Sequence, residues 1–320
     1  MTRIGLVLGA GGVVGQAYHA GVLAALEHDY GWDPRSAQII AGTSAGSITG
    51  ALLRSDVPAS ELAAWTVKSP LAPEGRVLRE VFGSEHPRFD PYRPERLLLR
   101  PPAIPDLSVL TRALLRPWQV RPVAAALAVI PPGRVDAGDT FGSLAQLSGR
   151  SWPERELWVC AVRVSDGRRV VFGRDRTDVS LSTAVAASCA VPGYFKPVQI
   201  GSDRFVDGVV HSPTNAGVVR DRRLDLILVV SPMSRPGRRI DPYGLARRHA
   251  GWLARREVAA LRRSGTPVVT FRPGHREQQV MGTDVMSVDR LHEVVQESFF
   301  AAGRFAAAQE LRHLLNGHAS

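Results

Sequence analysis

The sequence predicts an α/β fold, a mostly parallel sheet covered by helices. Three observations carry this. An apolar run, Ile4–Leu8, leads through a glycine loop at 9–12 into a stretch with apolar residues at helical spacing, among them Ala17, Ala20, Val22, Leu23 and Leu26. The same order then repeats, with a strand at 38–41 followed by small-residue helices at 45–53 and 59–67. Far down the chain, "DLILVVSPM" and "PVVTFRP" read as two more buried strands.

The remaining elements follow in order. Residues 70–135 hold 12 of the chain's 23 prolines, a density that prevents long regular elements. The apolar runs "LSVLTRALL" and "VAAALAVI" between them argue for an insertion packed over the sheet as a Pro-rich helical cap. The runs "ELWVCAVRV" and "RRVVFG" read as paired strands around a Ser165-Asp166-Gly167 turn. "SLSTAVAASCAVPG" is a helix stopped by Pro192-Gly193, and "RFVDG" is a short strand and turn. Helices fill 243–264 and 287–316. The first of these carries Arg247, Arg248, Arg255, Arg256, Arg262 and Arg263, read as a solvated basic face.

At 320 residues, 44% hydrophobic and 22% charged, the chain is read as one continuous domain over 1–320. The net charge of +10 comes almost wholly from arginine, Lys68 and Lys196 being the only lysines. The arginines are scattered and show no interleaved aromatics, so a nucleic-acid partner is not expected. Cys160 and Cys189 lie in apolar segments without metal-ligand spacing, as buried reduced thiols of an intracellular protein would. No apolar run reaches the ~18 residues of a membrane span. The N-terminal run breaks at glycines after Leu8, so it reads as a strand and not as a signal peptide. A cytoplasmic location follows as the expectation, with peripheral membrane contact.

Gly42-Thr43-Ser44-Ala45-Gly46 places small residues tightly around one hydroxyl. A nucleophile on a sharp strand-to-helix turn needs that spacing, because larger neighbours would clash. Cleaving an ester also requires donors for the developing oxyanion. The amides of Gly11, Gly12 and Val13 would supply them, since a glycine loop opening a helix leaves backbone N–H groups free beside the Ser44 crevice. The competing reading of this loop is a dinucleotide site. Against it, the G-x-G-x-x-G pattern meets Val14 where glycine or alanine belongs, and the second strand ends without an acid. For the base, Asp207 in "FVDGVVHSP" sits on a tight turn after a strand. On the residues alone, an aspartate capping its own loop is the commoner occupant of such a turn. The nine histidines include His211 on the same loop.

Taken together, "LVLGAGGVVG", "GTSAGS", "ASCAVPGYFKPV" and "FVDGVV" resemble, in order, four motifs of the patatin-like phospholipases, over residues 4 to about 215. The resemblance implies a three-layer α/β/α fold and a serine-aspartate dyad without histidine. By position, Ser44 would be the nucleophile, Asp207 the base, and the amides around Gly11 and Gly12 the oxyanion hole. It also implies acyl-ester substrates, namely phospholipid, lysophospholipid, acylglycerol or simpler esters, with no metal or organic cofactor. Two residues depart from the pattern. Val14 stands where many members carry Arg or Lys, and Val209 where the third motif ends in Gly or Ala. The expected activity is a lipid acyl hydrolase. Its rivals are a non-lipid carboxylesterase or acyltransferase on the same site, and a lipid-binding protein with impaired turnover.

Overall fold

The structure is a computed structural model that describes residues 2–84, 86, 90, 124, 127, 130–147, 152–234, 242–305 and 308–316. Among the described residues eight strands form one sheet: β1 (Ile4–Leu8), β2 (Ile39–Thr43), β3 (Glu156–Arg163), β4 (Arg169–Phe172), β5 (Val198–Ile200), β6 (Asp203–Asp207), β7 (Leu226–Val230) and β8 (Val268–Phe271). β1 pairs in parallel with β2 and β7, β2 with β3, and β7 with β8. The other pairings, β3 with β4, β3 with β6 and β5 with β6, are antiparallel.

The helices are α1 (Gly12–His28), α2 (Ala45–Arg54), α3 (Ala59–Thr66), α4 (Arg76–Phe82), α5 (Ala137–Phe141), α6 (Leu181–Cys189), α7 (Pro242–Arg263), α8 (His275–Met281), α9 (Leu291–Gly303) and α10 (Ala308–Asn316). They cover both faces of the sheet, and the strand residues divide between them with period two. Leu6, Leu8, Ile40, Leu157, Val159, Leu226 and Leu228 join a core with α1, α2, α3 and α9. Their neighbours Val7, Ile39, Ala41, Trp158, Cys160, Ile227 and Val229 join a second core with Val218, Val219 and the α7 residues Val258 and Leu261. Residues apolar on both sides of the pleat are what a sheet buried between two helical layers requires. The architecture is therefore a three-layer α/β/α sandwich around a mostly parallel sheet.

One feature of the register positions the site. β3 pairs with β2 over Glu156 to Cys160 and with β4 over Val159 to Val162, so β2 and β4 lie on opposite edges. β6 pairs over Ala161 to Arg163, also opposite β4. β2 and β6 thus share one edge of β3 and run toward each other. Thr43, the last residue of β2, faces Cys160, and Asp207, the last residue of β6, faces Ala161.

Several elements differ from the sequence expectation. The stretch at 287–316 forms two helices, α9 and α10; α9 ends at Gly303, where an added Cβ would lie 2.3 Å from Asp29 Oδ2. β5, only three residues long and carrying an exposed Gln199, forms a hairpin with β6 that alternation does not reveal. Most of the expected cap lies outside the described residues, including Leu114. Leu127 is described, and it packs with Val162, Val164 and Val206 as core. Cys160 and Cys189 are buried free thiols. Among the described residues no helix is long and apolar enough to cross a membrane.

Candidate active site

Ser44 is the single residue between β2 and α2. Its backbone sits at φ 53° and ψ −122°, a conformation that L-residues rarely adopt and that the surroundings must enforce. Three contacts do so. The Ser44 N–H donates to Ser188 Oγ at 2.9 Å, and that hydroxyl donates to the Cys160 carbonyl at 2.7 Å, tying the turn to β3 through α6. Ser47 Oγ donates back to the Ser44 carbonyl at 2.6 Å.

The glycine spacing has a steric cause. A Cβ on Gly46 would lie 2.0 Å from the Leu8 carbonyl oxygen, and one on Gly42 would lie 2.5 Å from the Gly46 carbonyl oxygen. The entry of α2 is thus pressed against the end of β1. Gly46→Ala should destabilise the fold by about 1–3 kcal/mol, the usual range for overpacking, because the obstructing atom is backbone. Urea unfolding at constant m-value measures this.

Asp207 is fully buried at the end of β6. Its turn is equally tight, since a Cβ on Gly208 would lie 2.4 Å from the Cys160 carbonyl oxygen. Asp207 Oδ1 accepts the Val209 N–H at 2.8 Å, whereas Oδ2 is buried with no hydrogen-bond partner. Burial pushes the carboxyl up from 3.8 to about 7; the nearby Ser44 hydroxyl and the Val209 amide favour the ionised form and limit the rise. The Ser44 hydroxyl lies near enough to favour the ionised carboxylate by hydrogen bonding, although Oδ2 has no partner at full hydrogen-bond geometry. Among the described residues no histidine shifts Asp207. Among the described residues the one fully buried histidine, His19, contacts Thr49 Oγ1 at 3.3 Å and is pushed down to about 3 by burial.

The glycine loop joins β1 to α1 beside the Ser44 turn, because Leu8 faces Gly42 across the parallel pair. Its outer amides are spent: Gly9 N–H donates to the Val230 carbonyl, Ala10 N–H to Pro213 and Val14 N–H to Val285. The amides of Gly11, Gly12 and Val13 have no acceptor among the described residues. They form the first turn of a 17-residue helix whose dipole favours negative charge there. Val14, which stands where many patatin-like phospholipases carry Arg or Lys, is buried in the core. Among the described residues no cluster of three or more His, Cys, Asp or Glu side chains is arranged to hold a metal ion.

Two further polar residues, buried Asn215 and half-buried Glu257, carry no motif in the sequence. Asn215 takes a left-handed conformation at φ 49°, and its Nδ2 lies within hydrogen-bond distance of Thr43 Oγ1, the Gly208 carbonyl and the Ser212 carbonyl. It therefore links the residue before Ser44 to the residue after Asp207. Glu257 of α7 steadies this loop from behind, accepting from Ser212 Oγ, Thr214 Oγ1 and the Ala216 N–H through Oε2. Asparagine's tolerance of the left-handed region was the only local signal available for Asn215.

No curated protein matches the chain. Among solved structures it is similar to VipD from Legionella pneumophila, at 14% identity and a TM-score of 0.41, covering 98% of this chain and 75% of that one. Human GIVD cytosolic phospholipase A2, in complex with methyl gamma-linolenyl fluorophosphonate, matches at 13% identity and a TM-score of 0.40, covering 99% and 59%. ExoU in its complex with SpcU from Pseudomonas aeruginosa matches at 21% identity and 0.36, covering 98% and 52%. This chain therefore spans little more than half the length of the latter two. The family model for "Patatin-like phospholipase" matches residues 6–220, two thirds of the chain, a span that contains Ser44, Asp207 and the glycine loop. The chain belongs to the patatin-like phospholipase family.

Proposed function

We propose that the protein is a lipid acyl hydrolase that cleaves carboxylic esters of phospholipid, lysophospholipid or acylglycerol through a Ser44–Asp207 dyad. The observation that carries this reading is the meeting of β2 and β6 on one edge of β3. It puts a serine in a strained turn beside a buried carboxylate with a free oxygen.

In this reading ionised Asp207 takes the Ser44 hydroxyl proton on Oδ2 as Oγ attacks the ester carbonyl. The carbonyl oxygen becomes an oxyanion, received by the amides of Gly11, Gly12 and Val13. Collapse of the intermediate expels the alcohol, which takes the proton from Asp207 and leaves an acyl group on Ser44. Water then attacks the acyl-enzyme, giving its proton to Asp207; the second collapse releases the fatty acid and returns that proton to Ser44. Val209 is compatible with this scheme because it serves Asp207 through its backbone N–H. We place the protein in the cytoplasm, meeting lipid peripherally, on the strength of its two buried free thiols.

The base must be ionised, so activity is present above the carboxyl's folded-state value and lost below it. With that value at about 7, kcat/KM should fall about tenfold per unit on the acid side of pH 7. The identity of the substrate is tested by a lipid screen that compares the intact protein with Ser44→Ala over short and long acyl chains. Consumption of long-chain lipid esters by the intact protein alone supports the proposal. Consumption restricted to short, non-lipid esters would replace it with a carboxylesterase.

A further inference from the structure

A cleft of about 820 Å³ opens beside β8, three strands along the sheet from β2, between α7 and α10. That volume lies inside the roughly 300–1,000 Å³ of ordinary ligand pockets. None of its lining residues is Ser44, Asp207 or part of the 9–13 loop. Its walls are apolar, with Val229, Val258, Val268, Phe305, Leu311 and Leu314 among them. Its charged groups are chiefly cationic: Arg255, Arg262 and Arg263 come from α7 and Arg272 from the residue after β8, against one carboxylate, Glu310, among the described lining residues. All four arginines are exposed, so their charged ends stand at the rim while the floor is hydrocarbon. Thr270 Oγ1, also in the lining, is buried with no hydrogen-bond partner.

β8 is the edge strand of the sheet, which raises the alternative of an acidic peptide adding to it as a further strand. One acceptor on that edge is already taken. Arg262 donates to the Val268 carbonyl at 2.8 Å, laying a guanidinium across the groups that a new strand would need. An apolar trough with a cationic rim fits a different ligand, one long tail ending in a negative head.

We propose that this cleft binds a single-chain amphiphile with an anionic head, the chemistry shared by a long-chain fatty acid and a monoacyl phosphate. The tail lies along Val258, Phe305 and Leu314, and the head meets Arg263 and Arg272. The cleft wall is shared with the hydrolytic site: Ser231 and Ser234 line it, and Pro232 between them packs against Gly11, where an added Cβ would lie 3.0 Å from Pro232 Cβ. The proposal concerns binding and stands whether or not Ser44 is the nucleophile.

Calorimetric titration of the Ser44→Ala protein tests it, with laurate and dodecyl phosphate below their micellar concentrations and dodecanol below its solubility limit. Saturable binding of laurate or dodecyl phosphate is expected, with dodecanol at least tenfold weaker; the tighter of the two anions identifies the source of the ligand. Ala259→Trp, which fills the cleft, should abolish binding. Arg263→Glu with Arg272→Glu should weaken it at least tenfold, and these exposed positions keep the test valid if the tryptophan variant fails to fold. Anion binding unchanged by the Arg263→Glu, Arg272→Glu pair, no saturable binding at all, or saturable binding of an acidic peptide in place of the amphiphiles would overturn the assignment.

Discussion

Asp207→Asn should lower turnover on a lipid ester by about 100- to 10,000-fold, the range expected for loss of a general base, while making the folded protein more stable at pH 8. The two effects share one cause. Asparagine has nearly the shape of aspartate and still accepts the Val209 N–H through Oδ1. It cannot take the Ser44 proton. It also cannot ionise, and that removes a cost. Burial raises the Asp207 carboxyl from 3.8 to about 7, so between those values the native state binds a proton that the unfolded chain has released. Stability therefore falls as pH rises through that window, by a few kcal/mol at about 1.4 kcal/mol per unit, and the loss is complete above pH 7. The asparagine variant escapes it. Thermal unfolding should show Asp207→Asn melting above the unaltered protein at pH 8, with the gap narrowing toward pH 4. Equal melting at both pH values together with full activity would mean that Asp207 is a turn residue and nothing more.

Ser44→Ala should reduce turnover by on the order of 10⁴- to 10⁶-fold, the scale at which loss of a nucleophile in a preorganised site is felt. Lipid binding should survive, because the hydroxyl carries the covalent step while the surrounding walls carry the substrate. Single-turnover acylation and equilibrium binding of the same lipid measure the two separately. Backbone strain gives a further signature. Alanine at φ 53° keeps the strained turn without its function, so the variant should be no more stable than the unaltered protein.

How far the sequence reveals this site depends on how local each constraint is. The Ser44 turn is legible because its steric demands fall within five residues: Gly42 and Gly46 are small for the close approaches of the Gly46 and Leu8 carbonyls. The strands β1, β2, β3 and β7 are legible because they are apolar on both sides of the pleat. Asp207 is a different case. Its role depends on β2 and β6 meeting on one edge of β3, with partners more than a hundred residues apart in the chain, and only the resemblance to a family pointed there. Asn215, Ser188 and Glu257 carry no pattern at all; each matters through a hydrogen bond to a distant segment. The arginines of α7 read as a solvated face, and Arg248, Arg255, Arg256, Arg262 and Arg263 are exposed, but the position of Arg255, Arg262 and Arg263 over the apolar cleft beside β8 emerges only when α10 packs across from them.

The dyad without histidine is tested most directly by mapping the covalent adduct of a fluorophosphonate. Intact-mass and peptide analysis should find one adduct per chain, on Ser44. Labelling should be lost in Ser44→Ala, strongly slowed in Asp207→Asn, and retained in His211→Gln, His292→Gln and His313→Gln. Labelling unchanged in Ser44→Ala, or full labelling of Asp207→Asn with none in a folded histidine variant, would contradict the assignment.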